Sequence, residues 1–578
     1  MDRPDQGIQT RHLRDDLVGR VATAAETLGH ALLAEHGTLG RQAPTRSGLH
    51  DPALWTAGTS RLSAVLRATG SASLTEAAQI ASPTQRQALT LAASLAGPVE
   101  IMLALGSDDR VVPAAGRNSY RMPLADRAPL LRGSSCTATP PDAFVLDVAE
   151  RWRDDLLATT LSGRAPDPGA WHADVAGGIA AALGLDPSWE DRVVLSPSGT
   201  DVESLLTAVI QGAHERDVLV ITVGAREAGS GTIPAAGLTA FRASAPFEVG
   251  AQPGEALPGT DQEHVRVTDV ELRDAAGRVR RSSDIEAEIE AHIEDAAEHD
   301  RAVLVHIMGG SKTGLCCPGP DWVRSWRTRK PHLRMVVDAA QLRMSPRDLR
   351  AYLDAGASAL ITGSKALSAP PFCGALLLDD DLAGDATALA AAGGSLPSGL
   401  SRSVSRADLP KSLASLAAGF EDVNVGLQAR WHVALTEWRR YQAVPRDERR
   451  RVVHHLLDRW RGALDALPGV QVLPPRPGAV PTIVSVAVAD ADGWMCKPGL
   501  AEVYERIVDA PGVYIGQPVE LAKDVPAVLR LAVGAATVTR LIEDATRLGS
   551  LDQALEAVVG VTVDRFAGAI PVGAMTRS

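Results

Sequence analysis

The period of the apolar positions changes along this 578-residue chain. Between residues 14 and 105 the apolar residues recur at helical spacing, which predicts a series of helices. From residue 171 to residue 378, short apolar runs of strand length alternate with helical segments, which is typical of an α/β fold with a mostly parallel sheet. Beyond residue 470 short strands and helices alternate over a smaller span, which predicts a smaller α+β domain.

These changes of pattern divide the chain into four parts. We predict a helical N-terminal extension at 1–110, a linker or arm with one helix at 111–160 that contributes to the active site, a large α/β domain at 161–395 and a small α+β domain at 396–578. The stretch 111–141 is rich in Gly, Pro and Ser, which favours a plain linker. It also holds polar residues such as Tyr120, so an arm that contacts substrate is the alternative.

Composition narrows the possible partners. The formal net charge is −12, which argues against nucleic acid or an anionic membrane as the main partner. No apolar run approaches membrane-spanning length, and the first residues lack the apolar core of a secretory signal. The five cysteines form no CxxC pair, which suits reduced thiols in the cytoplasm and gives no metal-site spacing.

Two predicted strand ends carry the residues of greatest chemical interest. Residues 334–337 form a short apolar strand that leads into Asp338, and residues 359–361 form the next strand, which leads to Lys365. Open α/β sheets build their sites at such strand ends. A pyridoxal 5'-phosphate (PLP) enzyme needs a lysine that forms a Schiff base with the aldehyde and an acid that pairs with the pyridinium nitrogen. Taken alone, Lys365 is better interpreted as a surface lysine and Asp338 as a helix N-cap.

A third strand end precedes a possible phosphate site. Residues 192–195 form a short apolar strand, followed by the turn Ser198-Gly199-Thr200 and a helix. Backbone N–H groups, the two hydroxyls and the helix dipole there would form a cup for phosphate. Thr200 and Glu203 have the spacing of a capping box. An ordinary helix N-terminus is the simpler interpretation of this turn.

The segment after the strand at 302–307 is similar to a P-loop but does not match one. The pattern G-x-x-x-x-G-K-[ST] requires glycines at the positions of His306 and Ser311. We therefore discount an ATPase.

In chain order, the turn, the acid and the lysine resemble PLP-dependent enzymes of fold type I, in the branch of class V aminotransferases and cysteine desulfurases. The resemblance covers about residues 110–550, and SPSGTDVE, VDAAQ and TGSK are similar to three of the family's motifs. It implies that Asp338 holds the pyridine nitrogen, that Gln341 reaches the ring hydroxyl and that Lys365 carries the cofactor. The residues that it implies at the phosphate are Ser198, Gly199, Thr200, Thr362 and Ser364.

The resemblance also implies residues for the substrate. HIMGGSKTG falls where the family has an Asn-Glu-x-Gly loop, which puts Ser311 at the position of an asparagine that contacts cofactor or substrate. VLRLAVGA is similar to the family's Arg-[IL]-Ser strand, so Arg530 is the candidate clamp for the substrate α-carboxylate. Tyr120 and Arg343 are further candidates for substrate binding. The alternative for Arg343 is a bond to a backbone carbonyl.

The sequence departs from the family pattern at three places. Ser364 stands where the family has a histidine before the lysine, and Arg226 and Glu227 stand where a residue that stacks on the ring is expected. His306 is then the remaining candidate for the ring contact. The desulfurase cysteine loop has no clear counterpart, because the segment around Cys373 is typical of a turn and a buried strand.

The resemblance implies a PLP-dependent enzyme that acts at Cα, Cβ or Cγ of an amino acid. We expect an elimination or replacement lyase or a transferase, in specialised metabolism. A true aminotransferase or a decarboxylase is the alternative within the fold, and a non-catalytic regulatory protein is the alternative outside enzymes. The resemblance further implies a homodimer with shared active sites, for which residues 111–140 and 396–411 are the candidate contacts from the partner.

Overall fold

A computed structural model describes most of the chain. The described ranges are 99–111, 117–123, 125–127, 139–161, 167–214, 216–330, 332–475, 482–523 and 525–571. The helices predicted before residue 99 lie outside these ranges, as do residues 112–116, 124 and 128–138 of the predicted arm.

Short strands of mainly apolar residues form the sheets. The strands are β1 (Val193–Ser196), β2 (Val218–Val223), β3 (Ser244–Ala245), β4 (Glu248–Val249), β5 (Val265–Val270), β6 (Ala302–Met308), β7 (Arg334–Ala339), β8 (Ser358–Thr362), β9 (Gly374–Leu377), β10 (Val470–Val472), β11 (Ile483–Val488), β12 (Gly516–Glu520) and β13 (Ala527–Ala532).

The large sheet has seven strands in the order β1-β9-β8-β7-β6-β2-β5. Strand β9 is antiparallel to both of its neighbours, and the remaining pairs are parallel. The carboxyl ends of β1, β2, β6, β7 and β8 therefore share one edge of the sheet. This arrangement confirms the predicted α/β fold with a mostly parallel sheet, and it brings the three strand ends singled out in the sequence to the same side.

Helices cover the sheets, and most begin at a polar cap or a proline. They are α1 (Val99–Ala104), α2 (Ala143–Leu161), α3 (Pro168–Leu183), α4 (Gly199–His214), α5 (Thr232–Ala236), α6 (Ser282–Glu298), α7 (Pro320–Arg329), α8 (Pro346–Leu353), α9 (Asp380–Ala391), α10 (Val425–Ala443), α11 (Arg446–Asp465), α12 (Lys497–Asp509), α13 (Ala535–Leu548) and α14 (Leu551–Ala569).

The large sheet is buried on both faces. Within β7, Met335 and Val337 pack into one apolar core, whereas Val336 packs into the other. Side chains of a strand alternate between faces, so a strand covered on both sides must be apolar throughout. This is why the predicted strands of this domain appear as continuous apolar runs rather than as alternating patterns.

The second sheet is antiparallel, in the order β10-β11-β13-β12, and it has its own core with α11 to α14. This core includes Trp460, Tyr514 and Phe566. Residues 396–417 instead contribute Leu396 and Leu413 to a core of the large sheet, and α10 packs there as well. The change of core thus falls near α11 and not at the predicted boundary of residue 396.

No helix in the described ranges combines the length and the apolar character needed to cross a membrane.

Candidate active site

A cavity of about 560 Å³ lies at the carboxyl edge of the large sheet. Its walls come from strand ends β1, β7 and β8, from the segment before β3, from the described part of the arm and from β13 of the small sheet. The predicted site residues that line it are Tyr120, Ser198, Gly199, Thr200, Asp338, Gln341, Thr362, Ser364, Lys365 and Arg530. His306, Ser311 and Arg343 are not in its wall.

The end of β7 fixes the position of Asp338. This residue pairs with Leu360 of β8 in parallel register, one residue before β7 ends. The backbone N–H of Ala340 donates to Asp338 Oδ1 at 2.9 Å. Among the described residues no hydrogen bond reaches Oδ2, so one carboxylate oxygen is available to a ligand in the cavity.

A tight turn after β8 presents Lys365. The N–H of Gly363 donates to the carbonyl of Cys373 at 2.7 Å, and the N–H of Ala369 donates to the carbonyl of Gly363. A Cβ at Gly363 would lie 2.6 Å from Cβ of Ala434 on α10, so only glycine fits where this helix packs against the turn. The glycine two residues before the lysine is therefore a packing requirement.

The phosphate turn has a different cap from the predicted one. Helix α4 begins at Gly199, and the N–H of Asp201 donates to Ser198 Oγ at 3.2 Å. The capping box predicted from Thr200 and Glu203 is wrong, because the cap lies two residues earlier. Thr200 belongs to the first turn of α4, and its side chain lies next to the loop that contains Gly231.

Glu203 turns away from the cap to His306. Nδ1 of His306 lies 2.6 Å from Glu203 Oε2, and both side chains are buried. Burial raises the pKa of Glu203; the contact with His306 opposes this rise and the charge of Asp338 adds to it. His306 therefore lies in β6 as the partner of a buried carboxyl rather than in the cavity wall. Glu203 is a cavity residue that sequence reasoning assigned to a cap, and its signal was an acid next to the apolar run of α4.

Ser311 is held by another buried carboxylate. Its hydroxyl donates to Glu227 Oε2 at 2.7 Å, and Nε of Arg273 lies 2.5 Å from Glu227 Oε1. Glu227 and the neighbouring Lys312 line the cavity, whereas Ser311 does not. The residue found where a ring-stacking side chain is expected is thus an anchor for the loop after β6.

The two candidate arginines lie in different places. Arg530 is fully buried within β13, lines the cavity and donates to the carbonyl of Gln517. Arg343 lines a second cavity, and its Nη1 donates to the carbonyl of Val533 at 2.8 Å. Arg343 thus forms a bond to a backbone carbonyl, and its role toward a substrate stays a prediction.

The described part of the arm enters the cavity from the same chain. The hydroxyl of Tyr504 on α12 donates to the carbonyl of Tyr120 at 2.7 Å, and Arg121 forms an ion pair with Glu505. Met122 is buried in the core of the small sheet. The other predicted partner contact, 396–411, also packs on its own chain. Its buried leucines belong to a core of the large sheet.

Sequence reasoning missed several cations in the cavity wall. Arg110 lies over the ring of Phe372 at 4.7 Å and pairs with Asp108 at 2.6 Å. Arg242 pairs with Asp109 at 3.0 Å. Arg110 belongs to the N-terminal region in which the sequence showed no chemistry, because its pattern contains only helical periodicity.

Cys373 lies in the cavity wall but is 1% exposed. Burial raises its pKa above the usual value for a thiol. Because the thiolate is the nucleophilic form, this cysteine is poorly placed for sulfur transfer.

The sequence matches no family model and no curated protein. Solved structures do match. A NifS-like protein has a TM-score of 0.43 at 14% identity, over 75% of this chain and 98% of that one. An alanine–glyoxylate aminotransferase from Nostoc sp. has a TM-score of 0.45 at 15% identity, over 76% and 97% of the two chains. A cysteine desulfurase from Thermococcus onnurineus has a TM-score of 0.45 at 13% identity, over 76% of this chain and 95% of that one. The likeness is distant, at no more than 15% identity in each of these three comparisons.

Proposed function

We propose that this protein is a PLP-dependent enzyme that acts on an amino acid. One observation carries the proposal: Lys365, Asp338 and the N-terminus of α4 line a single cavity at the carboxyl edge of the sheet. These residues lie on three strand ends that are distant in sequence. Folding for stability alone gives no reason for a lysine, an acid and a helix N-terminus to meet in one polar cavity.

The groups in the cavity fit the parts of PLP. A phosphate suits the N-terminus of the 16-residue helix α4 at Gly199, together with the Ser364 hydroxyl. The hydroxyl proton of Ser198 is not available to it, because this hydroxyl donates to Asp201 Oδ2 at 2.5 Å. The only hydrogen bond described for the Ser364 hydroxyl is a long one, which it donates to Thr362 Oγ1 at 3.4 Å. A pyridinium nitrogen suits Asp338 Oδ2. Thr362 fits less well, since its hydroxyl donates to the carbonyl of Ala340 at 2.6 Å and has no second proton to offer.

Three residues of the cavity would then have separate roles in the reaction. When bound, PLP supplies an electron sink for a carbanion at the substrate Cα. Lys365 would hold the cofactor and afterwards move a proton at Cα as a general base. Asp338 would keep the ring nitrogen protonated, and Arg530 would bind the substrate carboxylate.

We further propose an elimination, a replacement or a group transfer as the reaction. The cavity wall contains Arg110 and Tyr120, which precede the large α/β domain and add polar groups to the site. Transamination and decarboxylation remain the alternatives, because the same lysine, acid and arginine serve them. The buried thiol of Cys373 weighs against sulfur transfer. A homodimer remains part of the proposal, with the arm contributed within each chain.

The test compares two lysines of the same cavity. Purified parent protein, Lys365→Ala and Lys312→Ala are incubated with PLP, reduced with borohydride and digested, and the peptide that carries the cofactor is found by mass. We expect labelled Lys365 in the parent and in Lys312→Ala, and no label in Lys365→Ala. The visible absorbance is then followed while amino acids are added one at a time.

A label on Lys312 in the parent would overturn the role of Lys365. A parent protein that binds PLP at Lys365 but gives no spectral change and no product with any amino acid would favour the non-catalytic regulatory protein. A parent that takes up no PLP would end the proposal.

A further inference from the structure

A second cavity, of about 720 Å³, has a strongly basic wall. It lies between the start of α8, the start of α11 and the end of β13. The basic residues in its wall are Arg343, Arg347, Arg446, Arg449, Arg450 and His454. Among the described residues that line it, the only acid is Asp348. This balance is unusual for a chain whose net charge is −12, since carboxylates are in excess overall.

Four of these arginines have no carboxylate partner within the described ranges. Arg347, Arg446, Arg449 and Arg450 take part in no described ion pair, although Arg459 of the same helix α11 pairs with Asp552 at 2.6 Å. The guanidinium of Arg449 lies 4.6 Å from the centre of the Tyr441 ring, and its buried Nε has no hydrogen-bond partner. The cavity therefore holds positive charge that the fold does not neutralise.

The position of these arginines works against helix stability. Arg446, Arg449 and Arg450 lie in the first turns of α11, where the helix dipole is positive and cations destabilise. Acids in the same turn offset this in part, but they are not in the cavity wall. The start of α8, with Arg347, adds a second positive helix end. An anion in the cavity would relieve this repulsion.

We propose that this second cavity binds a small molecule that carries phosphate groups. Several guanidinium groups around a space of this size suit an anion with more than one charge, because guanidinium donates to phosphate in bidentate pairs. The N-terminus of α11 adds backbone N–H groups of the kind that bind phosphate, whereas α8 begins with Pro346 and the N–H of its Asp348 is accepted by Ser345. This site is separate from the cavity of Lys365, and the proposal does not depend on the proposed reaction.

The two cavities share a wall. Lys365 lines the first cavity, and the next residues, Ala366 and Leu367, line the second. Nε of Arg343 lies 3.4 Å from Oε1 of Gln341, which lines the first cavity. A bound anion would therefore sit directly behind the lysine turn.

The test is a calorimetric titration of the full chain with inorganic pyrophosphate, after incubation with PLP and removal of the excess by dialysis. The variant Arg446→Gln/Arg450→Gln removes two charges from the cavity wall. The control Arg459→Gln/Arg461→Gln removes two charges from the same helix outside it. We expect the dissociation constant to rise at least about tenfold in the first variant and less than about twofold in the control.

Two results would overturn the proposal. One is the absence of pyrophosphate binding at concentrations on the order of millimolar, which corresponds to about −4 kcal/mol. The other is an equal loss of affinity in both variants, which would mean that only the overall charge matters. Parallel titrations with inorganic phosphate and with glycerol phosphate distinguish free phosphate from a phosphate ester as the natural ligand. Unchanged melting temperatures would show that both variants are folded.

Discussion

The two cavities of this protein differ in how the arginines of their walls are paired. Around the first cavity, Arg110, Arg121 and Arg242 each have a carboxylate partner. Around the second, four arginines have none among the described residues. Arginines that are already paired hold the wall of a site in place before a ligand arrives, which suits a reaction that needs exact positioning of atoms. A site with uncompensated charge instead holds its ligand mainly by attraction.

The same local device begins a helix at each cavity. Ser198 accepts the N–H of Asp201 at the start of α4, and Ser345 accepts the N–H of Asp348 at the start of α8. The caps are alike, so the difference between the cavities comes from the side chains that the rest of the fold brings to them. The comparison leads to three further predictions.

The largest expected effect concerns Arg430, a buried arginine behind the first cavity. It donates to the carbonyls of Leu103, Leu105 and Phe372, and so joins the N-terminal segment to the loop after Lys365. Arg430→Met would leave these carbonyls unpaired, and we expect a loss of roughly 3–5 kcal/mol in the free energy of unfolding. Chemical denaturation measures it.

The matched change at the second cavity is Arg450→Gln, because Arg450 is exposed and has no described ion pair. We expect a change within about 0.5 kcal/mol. Similar losses in the free energy of unfolding would contradict the comparison. They would show that the arginine of the second cavity supports the fold as much as the buried arginine behind the first.

The next largest effect is on the binding of the amino acid, which we expect to depend on Arg530 and not on Arg343. Arg530→Gln should raise the half-saturating concentration of the amino acid that shifts the cofactor absorbance by roughly tenfold to a hundredfold, because a charged hydrogen bond to its carboxylate is lost. Arg343→Gln should change it by less than about threefold, since its guanidinium bonds to a backbone carbonyl. The reverse order would assign substrate to the second cavity.

The smallest effect compares the two caps. Ser198→Ala and Ser345→Ala should each lower the free energy of unfolding by about 1 kcal/mol, because each leaves a helix N–H without its partner. Only Ser198→Ala should also weaken PLP binding, by about tenfold, since only this serine caps the helix N-terminus at the proposed phosphate position. Thermal denaturation and PLP titration of both variants measure the two quantities. Equal PLP affinity in both variants would remove Ser198 from the cofactor site.

Much of the first site follows from the sequence alone. Apolar runs of strand length predict the strands, and Asp338 and Lys365 come directly after two of them. Parallel strands end at one edge, so these residues had to lie near each other once the sheet formed. The turn at Ser198 and the position of Arg530 follow from short motifs in the same way. The strands follow because periodicity is set by residues close in sequence, whereas the predicted capping box of Thr200 and Glu203 does not form.

The tertiary structure decided which polar side chains near the first cavity are already paired with one another. Glu203 and His306 lie on different elements, and only the packing of α4 against β6 joins them. Ser311 is taken by Glu227 because the loops after β2 and β6 meet. Such pairings depend on strand order and helix packing, and no local pattern encodes them.

The second cavity is the clearest case of a site that no local sequence pattern predicts. In the sequence, the arginines from 446 to 451 are typical of a solvated helix face with acids beside them. The fold turns part of this face toward the start of α8 and the end of β13, which gathers the positive charge around one cavity. The sequence by itself therefore determined the elements, the sheet edge and the lysine and acid upon it. Only the tertiary structure decided which charges are paired, because ion pairs form between residues that the chain brings together from far apart.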